Sequence, residues 1–281
     1  MDFDRLSRAV EKFSQTVGSI VKILLLSRRS SVKRVAADGD EIVVLGNGPS
    51  LNKTVEDSAG FLKPRKKLAV NFAANTPLFL QLKPEFYVLA DPHFFAEGNE
   101  AVDNLWRVFL EEVDWDMVLF VPSRVSSVRV EKLKRNSHIT VGRYNLTPVE
   151  GCRRLCHYAY RKGWGMPRPR NVLIPSIMLA LNSGFRTVYV AGADHSWMKT
   201  LSVDGQNRVV SIQPHFYKDS EKETARVATE YAGYPLYKIV YSFYVAFKAY
   251  FDIRDYAARI GAVVYNITPD SFIDAFPRKK V

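Results

Sequence analysis

The sequence predicts an α/β protein: a doubly wound, mostly parallel sheet, with a lid region and an N-terminal amphipathic helix. Three observations carry this expectation. Short β-rich runs alternate with helical stretches along most of the chain. Most of those runs are continuously apolar, the pattern of strands buried on both faces. Several end in glycine, asparagine or aspartate, the residues of tight turns and helix caps.

The elements follow in order. At the N-terminus, Phe3, Leu6, Val10, Phe13, Val17, Ile20 and Leu24 alternate spacings of three and four, which is a coiled-coil-like seam on a helix. Arg28, Arg29, Lys33 and Arg34 follow at once, and Arg278, Lys279 and Lys280 form a second basic cluster near the other end. Three roles compete for this helix: packing on its own domain, self-association, and lying on an anionic membrane face. Residues 1–35 are assigned to association or membrane-surface attachment, and 36–281 to the α/β domain. Strand candidates are Glu41–Leu45, Leu68–Asn71, Phe86–Ala90, Met117–Val121, Thr187–Ala191 and Ala262–Tyr265. Helical periodicity occupies Ala73–Leu82, Asn99–Glu112, Arg129–Arg135, Glu150–Arg161, Val172–Ser183 and Leu236–Ile260. Lys162–Arg170, with two glycines and two prolines, reads as a loop. Ser196–Lys222 is a long polar connection after a strand, so a lid is placed at about 196–250, rich in tyrosine and phenylalanine.

Composition narrows the function classes. With 281 residues, 47% of them hydrophobic and 25% charged, the chain is globular rather than disordered. Lys and Arg number 40 against 29 Asp and Glu, a formal charge of +11 that suits an anionic partner. The basic residues are dispersed and no recognised module accompanies them, so nucleic acid is not the expected partner. Cys152 and Cys156, the only cysteines, make neither a disulfide framework nor a zinc finger, and a reducing cytoplasm fits them. No stretch is long and apolar enough to span a bilayer, and the N-terminus does not read as a signal peptide. The expected location is cytoplasmic, with peripheral contact on the inner face of the membrane.

The sharpest local signal is VVLGNGPSL, Val43–Leu51. A buried strand ends in Gly46-Asn47-Gly48-Pro49-Ser50, where glycines permit a tight turn and close approach of a ligand to backbone amides. It is neither the dinucleotide G-x-G-x-x-G fingerprint nor a Walker loop. An ordinary strand-to-helix turn is the bland alternative. The next two strands close on Asn71 and on Asp91. Parallel strands carry their ends along one edge, so Asn47, Asn71 and Asp91 are expected in one crevice, where each alone would be an N-cap. A fourth strand end, Gly192-Ala193-Asp194-His195, supplies a neighbouring carboxylate and imidazole. His215, in the lid, is the other candidate base. His93 is a weaker one, and His138 and His157 read as structural.

These motifs in this order resemble glycosyltransferase family 42, the bacterial CMP-sialic acid sialyltransferases, and a wider group of flagellin-associated and pterin diphosphokinase-like proteins. The likeness runs from about residue 41 to 276 by motif order. It implies a Rossmann-like, GT-A-like domain that binds a nucleotide sugar. Gly46, Asn47, Gly48 and Ser50 match the family's nucleotide loop, Asn71 its second-strand asparagine, and Asp91 stands where a third-strand asparagine is expected. Pro175-Ser176 resembles the phosphate-side serine and its helix. Gly192-Ala193-Asp194 matches a G-x-D strand end, and Pro269-Asp270-Ser271 the closing segment. No histidine occupies the family's catalytic-base position near Phe247.

The expected activity is inverting glycosyl transfer from a nucleotide-activated sugar, a CMP-sialic acid or related CMP-keto sugar, to a surface glycan or lipid-linked saccharide. His215 would take the acceptor proton, with His195 and Asp194 on the donor side. No metal or other cofactor is called for. A homo-oligomer is expected. The competing activity is magnesium-dependent diphosphate transfer, for which Asp91 and Asp194 would be metal ligands. A catalytically silent nucleotide-binding protein is the third class.

Overall fold

Apolar runs of four or five residues bounded by turns dictate strands that need cover on both faces, and the computed structural model places them so. It describes residues 3–199, 201–210 and 233–281, with side chains from Arg5 onward. The strands are β1 (Glu41–Leu45), β2 (Lys66–Val70), β3 (Phe86–Val88), β4 (Met117–Pro122), β5 (Ile139–Tyr144), β6 (Thr187–Ala191), the short β7 (Ser202–Val203) and β8 (Val209–Val210), and β9 (Val263–Asn266). Seven of them form one sheet in the order β5-β4-β3-β2-β1-β6-β9, and all its pairings are parallel. β7 and β8 make a separate antiparallel hairpin.

The helices are α1 (Phe3–Leu26), α2 (Leu51–Asp57), α3 (Ala59–Leu62), α4 (Pro77–Leu82), α5 (Glu100–Glu111), α6 (Val128–Lys132), α7 (Arg153–Arg161), α8 (Leu173–Asn182) and α9 (Leu236–Arg259). Successive strand residues point to opposite faces. Ile42 and Val44 therefore join α7, α8 and α9 in one apolar core. Val43 and Leu45 pack on Leu51, Val55 and Leu62 of the other face, and Ala69, Tyr87 and Leu119 meet α4, α5 and α6 there. The doubly wound architecture is thus that of a Rossmann-like sheet with helices on both sides. α8 is buried from Leu173 to Leu181, as expected of a helix apolar all round.

The structure revises several boundaries. β5 is an additional edge strand. It is only intermittently buried and carries Thr140, Gly142 and Arg143, so it lacks the continuous apolar run of its neighbours. Residues 71–75 form a 3-10 turn, and α4 starts only at Pro77, whose missing N–H and fixed φ suit the first helical turn. α2 and α3 follow the glycine-rich turn directly. No described helix is long and apolar enough to cross a membrane.

α1 lies on the domain, but not by its apolar seam. Ser19 is fully buried, donating its Oγ–H to the Glu150 carbonyl and accepting the Glu150 N–H, each at 2.8 Å. Thr16 Oγ1 accepts the Cys152 N–H at 2.8 Å, and Ser27 donates to Thr147 Oγ1 at 2.9 Å. The seam residues Leu6, Val10, Phe13, Val17, Ile20 and Leu24 face solvent, with Phe13 at 72% and Leu24 at 78% exposure. The basic stretch after α1 is stitched to the body rather than free. Ser31 N–H donates to the Arg143 carbonyl at 2.9 Å, and Val35 N–H to the Ser183 carbonyl at 2.9 Å. Nor is the C-terminal cluster wholly solvated: Arg278 donates to the carbonyls of Thr268 and Ser271, and Lys279 to Tyr189 Oη at 3.0 Å.

Candidate functional site

The carboxyl edge of the sheet opens between β1 and β6, where the strand order reverses. Open parallel sheets leave a crevice at such a switch point. Two turns meet there at close quarters. Gly46 N–H donates to the Ala191 carbonyl and Gly48 N–H to the Gly192 carbonyl, both at 2.8 Å. A Cβ on Gly46 would lie 2.4 Å from the Gly192 carbonyl oxygen, and one on Gly48 would lie 1.9 Å from Asp194 Oδ2. Both glycines are therefore demanded by packing between the turns. Gly192 itself turns through φ 61°.

Beside this junction is a crevice of about 460 Å³. Its wall brings together Asn47, Gly48, Asn71, Asp91, Asp194 and His195, from four strand ends. Asn47 Nδ2 donates to the Val70 carbonyl at 3.4 Å, while its buried Oδ1 has no partner among the described residues. Asn71 holds the left-handed conformation at φ 52°, and His195 does the same at φ 51°. Non-glycine residues in that region are uncommon, and two in one crevice mark it as a functional candidate.

Three residues expected in the crevice serve it from behind. Gly46 does not line it and instead joins the two turns. Ser50 donates its hydroxyl to Asp194 Oδ2 at 2.8 Å, so it orients that carboxylate. Ser176 is fully buried in α8 and gives its hydroxyl to the Val172 carbonyl at 2.7 Å. A serine one turn inside a helix spends its proton on the preceding turn and does not reach a ligand at the terminus. His215 lies outside the described residues.

The end of α8 is marked instead by Asn171. Its Oδ1 accepts the amides of Leu173 and Ile174 at 3.0 and 3.3 Å, as a helix cap does. Asn171 and Arg170 both line the crevice, so the positive end of α8 and a guanidinium face the same space. The only sequence signal was an asparagine just ahead of an apolar run.

The two histidines of the crevice differ in state. Tyr250 donates its hydroxyl proton to Asn171 Oδ1 at 3.1 Å, and its oxygen lies 2.6 Å from His195 Nε2. Asn171 Nδ2 also lies 3.4 Å from the same nitrogen, so Nε2 is enclosed by Tyr250 and Asn171. Burial pulls the His195 imidazole from its ordinary 6.5 down to about 3, so it is neutral at physiological pH. Trp197 covers it, with ring centroids 4.2 Å apart. His93 is arranged otherwise. Its Nδ1 and its backbone N–H both lie 2.9 Å from Asp91 Oδ1, and its buried Nε2 has no partner among the described residues. A carboxylate fixing Nδ1–H leaves Nε2 as a lone-pair acceptor, the arrangement of an oriented general base.

The closing segment braces the site. Thr268 Oγ1 accepts the Ala193 N–H at 3.0 Å, and Ser271 donates to the Ala193 carbonyl at 2.6 Å. Among the described residues no three His, Cys, Asp or Glu side chains converge as a metal-ligand set.

No protein-family model and no curated protein matches the chain. Among solved structures it is similar to the MAf glycosyltransferase from Magnetospirillum magneticum AMB-1, with a TM-score of 0.50 at 13% identity. The match covers 97% of this chain and 38% of that one, so the chain spans well under half of the solved protein. At this identity the likeness is one of fold.

Proposed function

We propose that the chain is a glycosyltransferase taking a nucleotide-activated sugar, with a CMP-linked sialic acid or related keto sugar as the donor. The observation that supports this most directly is the crevice at the switch point. It offers an unpartnered Asn47 Oδ1 and the side chain of Asn71 beside the positive end of α8 and Arg170. An orphan acceptor suits an exocyclic amine or a ribose hydroxyl, and a helix N-terminus with a guanidinium suits the phosphate. The fold shared with a solved glycosyltransferase points the same way.

In the reaction, an acceptor hydroxyl of a glycan or lipid-linked saccharide attacks the anomeric carbon. The new C–O bond forms as the bond to the nucleotide phosphate breaks, and a single in-line displacement inverts the centre. The phosphate leaves with the bonding electrons, and its charge is met by α8 and Arg170. The acceptor proton passes to His93 Nε2, with Asp91 holding the ring. His195, neutral and engaged by Tyr250, acts with Asp194 as a fixed wall on the donor side. His215 is the other histidine proposed for the proton, from the lid side. No divalent metal enters this scheme.

A thermal-shift panel tests the donor class. CMP should raise the melting temperature by several degrees at saturation, with or without magnesium, while UMP, GMP and AMP do so less. Equal responses to all four would sink the CMP assignment, and stabilisation by ATP only with magnesium would favour diphosphate transfer. In transfer assays His93→Ala should lose turnover and keep CMP binding. Normal turnover there, with loss in His215→Ala, would move the base to the lid.

A further inference from the structure

We infer that α1 is a dimerisation helix whose outward seam receives the same helix of a second copy of this chain. The seam alternates spacings of three and four without a break from Phe3 to Leu24. That period of 3.5 keeps one stripe against a partner helix through supercoiling, whereas the drift of a straight helix on a flat surface favours 3.6. Val10 and Val17 fall at a positions, the β-branched choice that suits two strands.

The structure turns this stripe away from the body. α1 is held through Ser19 and Thr16, off the seam, and through Ser27 just past its end, so among the described residues nothing covers the seam. The flanking Ser7, Ala9 and Ser14 are small or uncharged, which lets a second backbone approach. The cations do not border the stripe as they would on a helix lying in an anionic bilayer. Arg8 and Lys12 line the cleft between α1 and the body, together with Glu150 and Asp252, and Lys22 is half-buried. The exposed side chains from Leu6 to Leu24 offer roughly 700 Å² per copy, close to the share each partner contributes to a standard interface.

Light scattering after gel filtration, at tens of micromolar protein, tests this. The full chain should run at twice its 32.0 kDa mass. The double variant Val10→Glu, Val17→Glu should run at the single mass with an unchanged far-ultraviolet spectrum. Mixing it with Val10→Lys, Val17→Lys should restore the double mass, because opposite charges then meet across the seam. Each of three results would overturn the inference: a wild-type chain of single mass, a glutamate variant that stays dimeric, or folded variants that do not pair on mixing. A single-mass wild type that floats with phosphatidylglycerol vesicles, while the glutamate variant does not, would assign the seam to a bilayer instead.

Discussion

Asn71 sits where an L-residue is strained, at φ 52°, with Tyr87 Oη donating to its carbonyl and its side chain at the crevice wall. Backbone and side chain can be separated by two substitutions. Asn71→Gly tolerates the conformation but lacks the amide, so CMP affinity should fall about five-fold, the worth of one hydrogen bond near 1 kcal/mol, with the melting temperature held. Asn71→Ala should lose the same affinity and in addition about 1 kcal/mol of stability, because alanine resists the left-handed region. Calorimetry and thermal melts together check this, and unchanged affinity in both variants would remove Asn71 from the site. Asn47, Asn71 and Asp91 were legible in the sequence because ends of parallel strands lie along one edge whatever the loops do. Ser176 was misplaced for a complementary reason. Periodicity located the helix, but only the cap geometry of Asn171 fixes which residue stands at its mouth. The placing of His93, with its Nδ1 on Asp91 and its Nε2 buried, was not legible, because a sequence does not display which ring nitrogen is held.

At the scale of elements, the continuous apolar strands were legible and the edge strand β5 was not. Ile139 packs in the core of one face and Tyr144 in that of the other, with exposed Thr140 between them, and Gly142 is small because the Phe120 ring lies over it. The same reasoning separates α1 from the segment behind it. α1 contributes polar bonds and the partly buried Ile23, whereas Val32 and Ala36 pack against the main core and Asn145 is bonded to both amide and carbonyl of Arg28. A chain starting at Ser27 should therefore fold and melt cooperatively, a few degrees lower than the full chain. One starting at Ala37 should not fold. Circular-dichroism melts of the two truncations decide the matter, and an unfolded Ser27 chain would make α1 part of the core.

For the molecule as a whole, His195 sets an acid limit. The unfolded imidazole titrates near 6.5 and the folded one near 3, so between those values the unfolded chain holds more protons and stability falls as the pH falls. At pH 4 the loss from this group alone is on the order of 3 kcal/mol. Urea unfolding from pH 7 to pH 4 should show the decline, and His195→Asn, which tolerates the left-handed backbone, should flatten it; parallel pH profiles would refute the assignment. Strand-helix alternation was readable from the sequence, but strand order was not, since nothing local says that β6 returns to the side of β1. That return has a consequence for synthesis. Val43 is paired on one side with Lys67 but on the other with Tyr189, and the Gly46 turn is completed only by Ala191 and Gly192. A ribosome must therefore deliver everything from β2 to β6 before β1 gains its second neighbour, and long-range closure of this kind is slow. The Gly46–Ser50 loop is made well before the partners that shape it, so a nascent chain arrested before Gly192 would carry the whole Gly-Asn-Gly-Pro-Ser sequence without the turn that completes it.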